Sequence, residues 1–214
     1  MKDITVNRFR QERGKILAEK INRFSKYLGR EIAILDVGGR PDYWNNVGLD
    51  HISSITILNY DEKELERDAP AKIFVNQVSD ARNLSNFADQ SVDFVHSNSV
   101  IEHVGLWPDM SAMASELRRV GQAGWVQTPA WEFPIEPHFR APFLHWFGQP
   151  LRRRLLWMSK SYRALNVAER RRHVDRINLL SKAEVEALFP GCGIFVERLV
   201  LAKSYTAHWM PPGA

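Results

Sequence analysis

The stretch Asp36-Val37-Gly38-Gly39-Arg40 is the first in this chain whose residue types suit chemistry. A carboxylate closes the apolar run Ile32–Val37, and two glycines follow it. Lacking Cβ atoms, they let the chain turn tightly and a ligand approach the backbone. The later glycines of a dinucleotide fingerprint and the Gly-Lys-Ser/Thr ending of a phosphate loop are missing. That argues against nicotinamide and nucleoside triphosphate chemistry. Three more polar groups follow at intervals of about twenty residues: Asn59-Tyr60-Asp61, Ser79-Asp80-Ala81-Arg82, and Asn98-Ser99 with Glu102-His103 beyond. Singly, each has an ordinary explanation. Asp36 fits a helix cap, and Asn59 and Asp80 fit turns, where Asn and Asp are favoured.

The elements that must position these groups are legible in the hydrophobic pattern. Ile16, Leu17, Ile21, Phe24, Tyr27 and Leu28 share a face of a helix over 8–28, which Gly29 ends. Ile32–Val37 reads as a buried parallel strand. Ser54–Tyr60, Ile73–Val78, Ser91–Ser97 and Gly124–Thr128 read as the next four strands, with a helix over Asp109–Val120 between the last two. Ser181 and Glu184 form a capping-box signature for a late helix that Pro190-Gly191 stops. Ile194–Leu201 and Ser204–Trp209 are then two strands so close together that they must form an antiparallel hairpin. The expected fold class is a doubly wound α/β domain, one unit over 1–214, with a mostly parallel seven-stranded sheet and helices on both faces. Residues 131–178 interrupt the rhythm and read as an insertion or lid. In such sheets ligands bind beyond the carboxyl ends of the strands, where the strand order reverses.

Composition sets outer bounds. A chain of 214 residues with 44% hydrophobic residues can bury a full core. No apolar run approaches the roughly 20 residues of a membrane span, and Met1–Arg10 holds no hydrophobic signal region. Cys192 is the one cysteine, which excludes an internal disulfide framework and a cysteine zinc cluster. These features predict a cytoplasmic protein without a metal site, and Cys192, between two glycines, reads as structural. The net charge of +4 is unevenly spread. Arg152–Arg176 holds nine of the 29 basic residues against two of the 25 acidic ones, which implies an acidic partner or a solvated helical face.

Taken in order, the four polar groups resemble the class I S-adenosylmethionine (SAM)-dependent methyltransferases, specifically the type-11 small-molecule group. The likeness runs from about Ile32 to Pro129 and resumes from Leu180-Ser181-Lys182 to Lys203-Ser204. The resemblance implies SAM as cofactor. It assigns Asp36, Gly38, Gly39 and Arg40 to the loop that holds the methionine part, and Asn59 and Tyr60 to the ribose end of the second strand. Asp80 and Ala81 fall where the family meets the adenine ring, with Asp80 accepting from its amino group, and Asn98 and Ser99 lie beside the methionine moiety. Two departures stand out. Arg40 and Asp42 occupy positions that are often glycine, and Asn59 replaces the usual acid, with Asp61 as the fallback. Glu102 and His103 match a recurring family element and read as packing or capping residues.

Methyl transfer from a sulfonium needs alignment and exclusion of water more than covalent help. A base matters when the acceptor must lose a proton. Candidates lie in Trp131–Phe139, where Pro134 and Pro137 restrain the backbone around Glu136 and His138. The sequence favours His138 as base with Glu136 beside it, and His103 and His145 as weaker alternatives. Phe139–Met158 interleaves aromatic and aliphatic residues with arginines, as a substrate lid, a packed helical insertion or a membrane-resting patch would. The implied acceptor is an oxygen or nitrogen of a small-molecule, sugar or lipid-linked compound. Alternatives are RNA methylation, which the basic stretch permits, and a binding protein that keeps the fold without catalysis. RNA methylation lacks support from an Asn-Pro-Pro-Tyr-type motif or a separate RNA-binding module.

Overall fold

The computed structural model describes residues 8–62, 72–135, 142–156 and 162–214. Its centre is a seven-stranded sheet of β1 (Ile32–Val37), β2 (Ile52–Asn59), β3 (Phe74–Val78), β4 (Val92–Asn98), β5 (Gly121–Pro129), β6 (Gly193–Arg198) and β7 (Ala202–Trp209). The spatial order is β3-β2-β1-β4-β5-β7-β6. β1 to β5 are parallel, and β7 runs antiparallel to both β5 and β6. The chain therefore winds outward from β1 in one direction, then returns to build β4 on its other side. That reversal between β1 and β4 is the switch point where such sheets open a crevice.

Alternation within the strands sorts the core into two layers. Leu35, Val37 and Val95 face a cluster with Met113, Leu117 and Val120 of α2 (Trp107–Val120) and Val185 and Leu188 of α5 (Lys182–Leu188). Ile34, Ile55, Ile57, Phe94 and Trp125 face the other way, against Leu17, Ile21 and Phe24 of α1 (Arg8–Leu28) and Trp44. The α1 residues recur at helical spacing, and burying each contributes about 1.5–3 kcal/mol. Gly29, at φ +68°, ends α1 in the left-handed conformation, and the Arg30 amide returns to the Ser25 carbonyl. Arg30 then forks onto Asp93 at 2.7 and 2.8 Å, while the Ala33 amide donates to the same carboxylate. Burial pushes the Asp93 pKa up, but these hydrogen bonds hold it below the usual range. The exit of α1 is thereby clamped to the starts of β1 and β4.

The expected strands and helices are present with shifted ends. α2 begins two residues early because Pro108 suits a first turn. β5 starts at Gly121, the residue read as the exit of that helix, so no loop separates the two. β6 stops at Arg198 and not at Leu201. Leu199, Val200 and Leu201 form the hairpin tip and are exposed, although their apolar character reads as strand. No helix among the described residues is long and apolar enough to cross a membrane. Between β5 and α5 lie α3 (Gln149–Leu155) and α4 (Val167–Asp175), with a small core of their own around Leu144, Leu156, Val174 and Ile177.

Candidate functional site

Asp36 is fully buried at the end of β1, and both of its oxygens are engaged. His96 Nδ1 lies 2.6 Å from Oδ1, and Trp44 Nε1 donates to Oδ2 at 2.8 Å. A carboxylate only accepts, so the imidazole proton of this contact sits on Nδ1. His96 Nε2 is buried, with no hydrogen-bond partner among the described residues. Register explains the pairing: Asp36 lies beside His96 across β1 and β4, on the face that α1 covers. Trp44 arrives from the 3-10 turn Pro41–Asn46, which follows β1 where a longer helix is usual in doubly wound folds. Tyr43 places its ring 4.7 Å from the imidazole, and burial pushes its phenol up to about 12, with Arg13 opposing. It stays protonated at neutral pH.

The two glycines are required by this packing. Gly38 has φ +69°, and a Cβ there would lie 2.4 Å from Val100 Cγ2. A Cβ on Gly39 would lie 1.9 Å from Asp36 Oδ2. The tight turn thus nests against the β4 loop and its own buried carboxylate. Arg40 projects outward, 3.4 Å from Asp42.

Three further strand ends join this loop along one edge. Asn59, nearly buried, donates from Nδ2 to the Gly39 carbonyl at 3.1 Å, tying β2 to the β1 turn. Tyr60 beside it is largely exposed. Asp80, after β3, accepts from the Arg82 amide and guanidinium at 2.7–3.1 Å, and Arg82 also reaches Asp109 at 2.9 Å. The Arg82 hydrogen bond holds the Asp80 carboxyl below the usual range. Ala81 packs into the core. Asn98 ends β4 and accepts from Arg13 of α1 at 3.3 Å. Ser99 has φ +56°, its hydroxyl on Gln127 Oε1 at 3.1 Å. From β3 to β4 is three interstrand gaps, roughly 14 Å. Along this edge an acceptor (Asp80) and an exposed aromatic ring (Tyr60) stand at the β3–β2 end, and two glycines and the Arg40 guanidinium follow β1.

Glu136 and His138 lie outside the described residues. On either side of them, Ile135 bridges Pro142 and the Phe143 amide donates to the Pro134 carbonyl at 2.6 Å. His145 and His103 are committed elsewhere. His145 Nε2 is 2.9 Å from the Trp131 carbonyl, which also accepts from Trp146 Nε1, and His103 Nδ1 is 3.3 Å from the Arg176 carbonyl. His103 fastens the segment after β5 to the body, and His145 braces that segment internally. Glu102, fully buried, accepts from Thr128 at 3.0 Å, and its carbonyl accepts from the Asn178 amide. Its side chain thus ties the turn after β4 to β5, and its backbone meets the end of that segment. A cleft of about 290 Å³ opens between the segment and the starts of α2 and α5, walled by Leu106, Trp107, Trp131 and Gln149. Burial raises the Cys192 thiol pKa, in keeping with a structural residue.

Sequence reasoning missed four residues of this site: Arg13, Tyr43, Trp44 and His96. Only the adjacent aromatic pair after the glycine turn offered a signal. His96 sits within an apolar run that reads as strand, and its partner is sixty residues away.

Comparison with known proteins follows the same outline. A family model described as "Methyltransferase domain" matches residues 35–125, from β1 into β5. No sequence among the curated proteins matches the chain. Among solved structures, the chain resembles the PH0226 protein from Pyrococcus horikoshii OT3 (19% identity, TM-score 0.57, covering 98% of this chain and 93% of that one). It also resembles the N-terminal domain of EvdMO1, solved with S-adenosylhomocysteine (SAH) and D-fucose (16% identity, TM-score 0.54, 95% and 82% covered). A protein from Rhodobacter sphaeroides titled a Zn-dependent alcohol dehydrogenase aligns at 10% identity and TM-score 0.59, covering 90% and 88%. At these identities the structural likenesses establish the fold alone.

Proposed function

We propose that this chain, whose residues 35–125 match a methyltransferase-domain family model, is a class I SAM-dependent methyltransferase that methylates an oxygen or nitrogen of a small-molecule, sugar or lipid-linked acceptor. The observation that carries the reading is the reversal of strand order between β1 and β4, with the loops bearing Gly38, Asn59, Asp80 and Asn98 at the carboxyl ends of neighbouring strands. When bound, SAM supplies a methyl group already activated as a sulfonium. Gly38, Gly39 and Arg40 would receive its amino-acid end, with the Arg40 guanidinium facing the carboxylate and Asn98 and Ser99 alongside. Asn59 and Tyr60 would meet the ribose, and Asp80 and Ala81 the adenine. The residue types suit that ligand: Asp80, paired with Arg82, would also accept from an exocyclic amine, and Arg40, beside Asp42, would meet a carboxylate. Asp36 acts one step back: with its oxygens on His96 and Trp44, it sets the shape of the loop.

The domain is read as one unit over 1–214, with 131–178 as the acceptor-side insertion. Support comes from its anchoring at the end of β5, where the Trp131 amide donates to the Leu180 carbonyl and Ala130 bridges Leu180. His138, two residues after Glu136 in sequence, takes the proton of a hydroxyl or ammonium acceptor. Their flanks are pinned by the Ile135–Pro142 bridge. SAH calorimetry tests the cofactor half, and absence of heat at millimolar ligand sinks it in favour of a non-catalytic binding protein. Incubating cell extract fractions with radiolabelled SAM tests the acceptor half. Label in the small-molecule or lipid fraction is the expected result, and label confined to bulk tRNA overturns it.

A further inference from the structure

We propose that the end of the molecule at the carboxyl ends of the parallel strands docks on the surface of an anionic lipid bilayer, through the β6–β7 tip and the segment after β5. This deepens the reading above and rests on the acceptor entering at this end. Two apolar projections, separate in sequence, mark the surface. The first is Leu199-Val200-Leu201, where Val200 is 86% and Leu199 64% exposed. β6 runs antiparallel to β7 and β7 antiparallel to β5, so this tip lies at the carboxyl end of the parallel strands. The second is the exposed set Trp131, Phe143, Trp146, Phe147 and Leu151. Trp146 links it, with ring centroids 5.0 Å from Phe143 and 6.1 Å from Trp131. The two share a base, because the Ala130 amide donates to the Lys203 carbonyl.

Folding gains nothing from presenting three consecutive aliphatic side chains to water, and contiguous apolar surface of this kind marks an interaction site. Charge selects the occupant. The stretch Arg152–Arg176 is net +7, so the rest of the chain is net −3. Arg154 and Arg172 are exposed on the same segment, and Arg198, also exposed, adjoins the tip. Aromatic and aliphatic residues backed by arginines match a headgroup layer, with apolar tips in the acyl boundary and guanidinium groups among the phosphates. At the tip, Leu-Val-Leu offers no ring on which a base can stack, so that projection suits acyl chains better than nucleic acid.

The test is co-sedimentation of the full chain with phosphatidylcholine vesicles, with or without 30 mole per cent phosphatidylglycerol (a composition of roughly the charge that produces a cytoplasmic-leaflet potential). Wild type is expected to pellet with anionic vesicles and to stay in solution with neutral ones. Val200→Asp and the pair Arg154→Glu/Arg172→Glu should each lower vesicle affinity at least tenfold, with the melting temperature unchanged. Wild type left in the supernatant with anionic vesicles overturns the proposal, as does undiminished binding of Val200→Asp. A dimer that Val200→Asp dissociates, without vesicle binding, reassigns the tip to a second copy of the chain and also overturns it. SAH calorimetry on the same preparations separates the two readings: intact SAH binding without vesicle binding sinks the docking alone, and the reverse sinks the cofactor site alone.

Discussion

Replacing Trp44 with Phe removes one N–H and leaves most of the buried ring. The lost partner is Asp36 Oδ2, 2.8 Å away in a pair that is 1% and 0% exposed. A hydrogen bond to a charged group contributes about 1.5–3 kcal/mol. The smaller ring leaves a void worth about 1 kcal/mol more. Trp44→Phe should therefore destabilise the chain by about 3 kcal/mol in urea unfolding at unchanged m-value. A double-mutant cycle with Asp36→Asn isolates the charge-assisted part of the bond, since the void term cancels. The expected coupling exceeds about 1 kcal/mol. SAH affinity should fall about fivefold in the single variant, roughly 1 kcal/mol, because the 41–46 turn beside the proposed cofactor loop is no longer held. A coupling within about 0.5 kcal/mol of zero, with wild-type SAH affinity, would refute the claim that this contact shapes the loop.

Gly39→Ala drives a methyl group into the Asp36 carboxylate, so it should cost at least about 1–3 kcal/mol and weaken SAH binding in calorimetry. A stable variant with unchanged affinity would contradict the packing described. Arg82→Gln frees Asp80, whose native pKa is held down by the Arg82 hydrogen bond. A depressed carboxyl contributes stability above its unfolded pKa, about 3.9, and loses it as pH falls through the native value. The stability deficit of Arg82→Gln should accordingly be full at pH 7 and shrink below about pH 4, and a pH-independent deficit in melting curves would exclude the linkage. His138→Ala should lower turnover about 10²–10⁴-fold and spare SAH affinity. Wild-type turnover ends its candidacy as base.

What the sequence disclosed follows from how locally each feature is encoded. Helical periodicity gave α1 its observed limits, and the Ser181–Glu184 pair announced the start of α5, where both reciprocal hydrogen bonds form. The sheet topology was legible because strands recur at crossover spacing and the last two lie too close for a crossover. The four strand-end loops were legible by order, since each polar group closes a β-branched run. The Asp36–His96–Trp44 contacts were not, because they depend on register between β1 and β4 and on a turn that displaces a helix. The Leu199–Leu201 tip was misread for a related reason: its residues have strand propensity, and only the pairing partner decides where a strand ends.

The direct passage from α2 to β5, Val120 to Gly121, makes this seam intolerant of length change. One extra residue would either swing the helix by about 100° about its axis or exchange Trp125 and Val126 between the two core layers. Drift at this junction can alter side chains but not count, whereas the excursion between Ala130 and Leu180 can lengthen or shorten while the sheet stays fixed. A lineage of such proteins would then diversify in what it modifies through one stretch of chain and keep its spacing constant in the other.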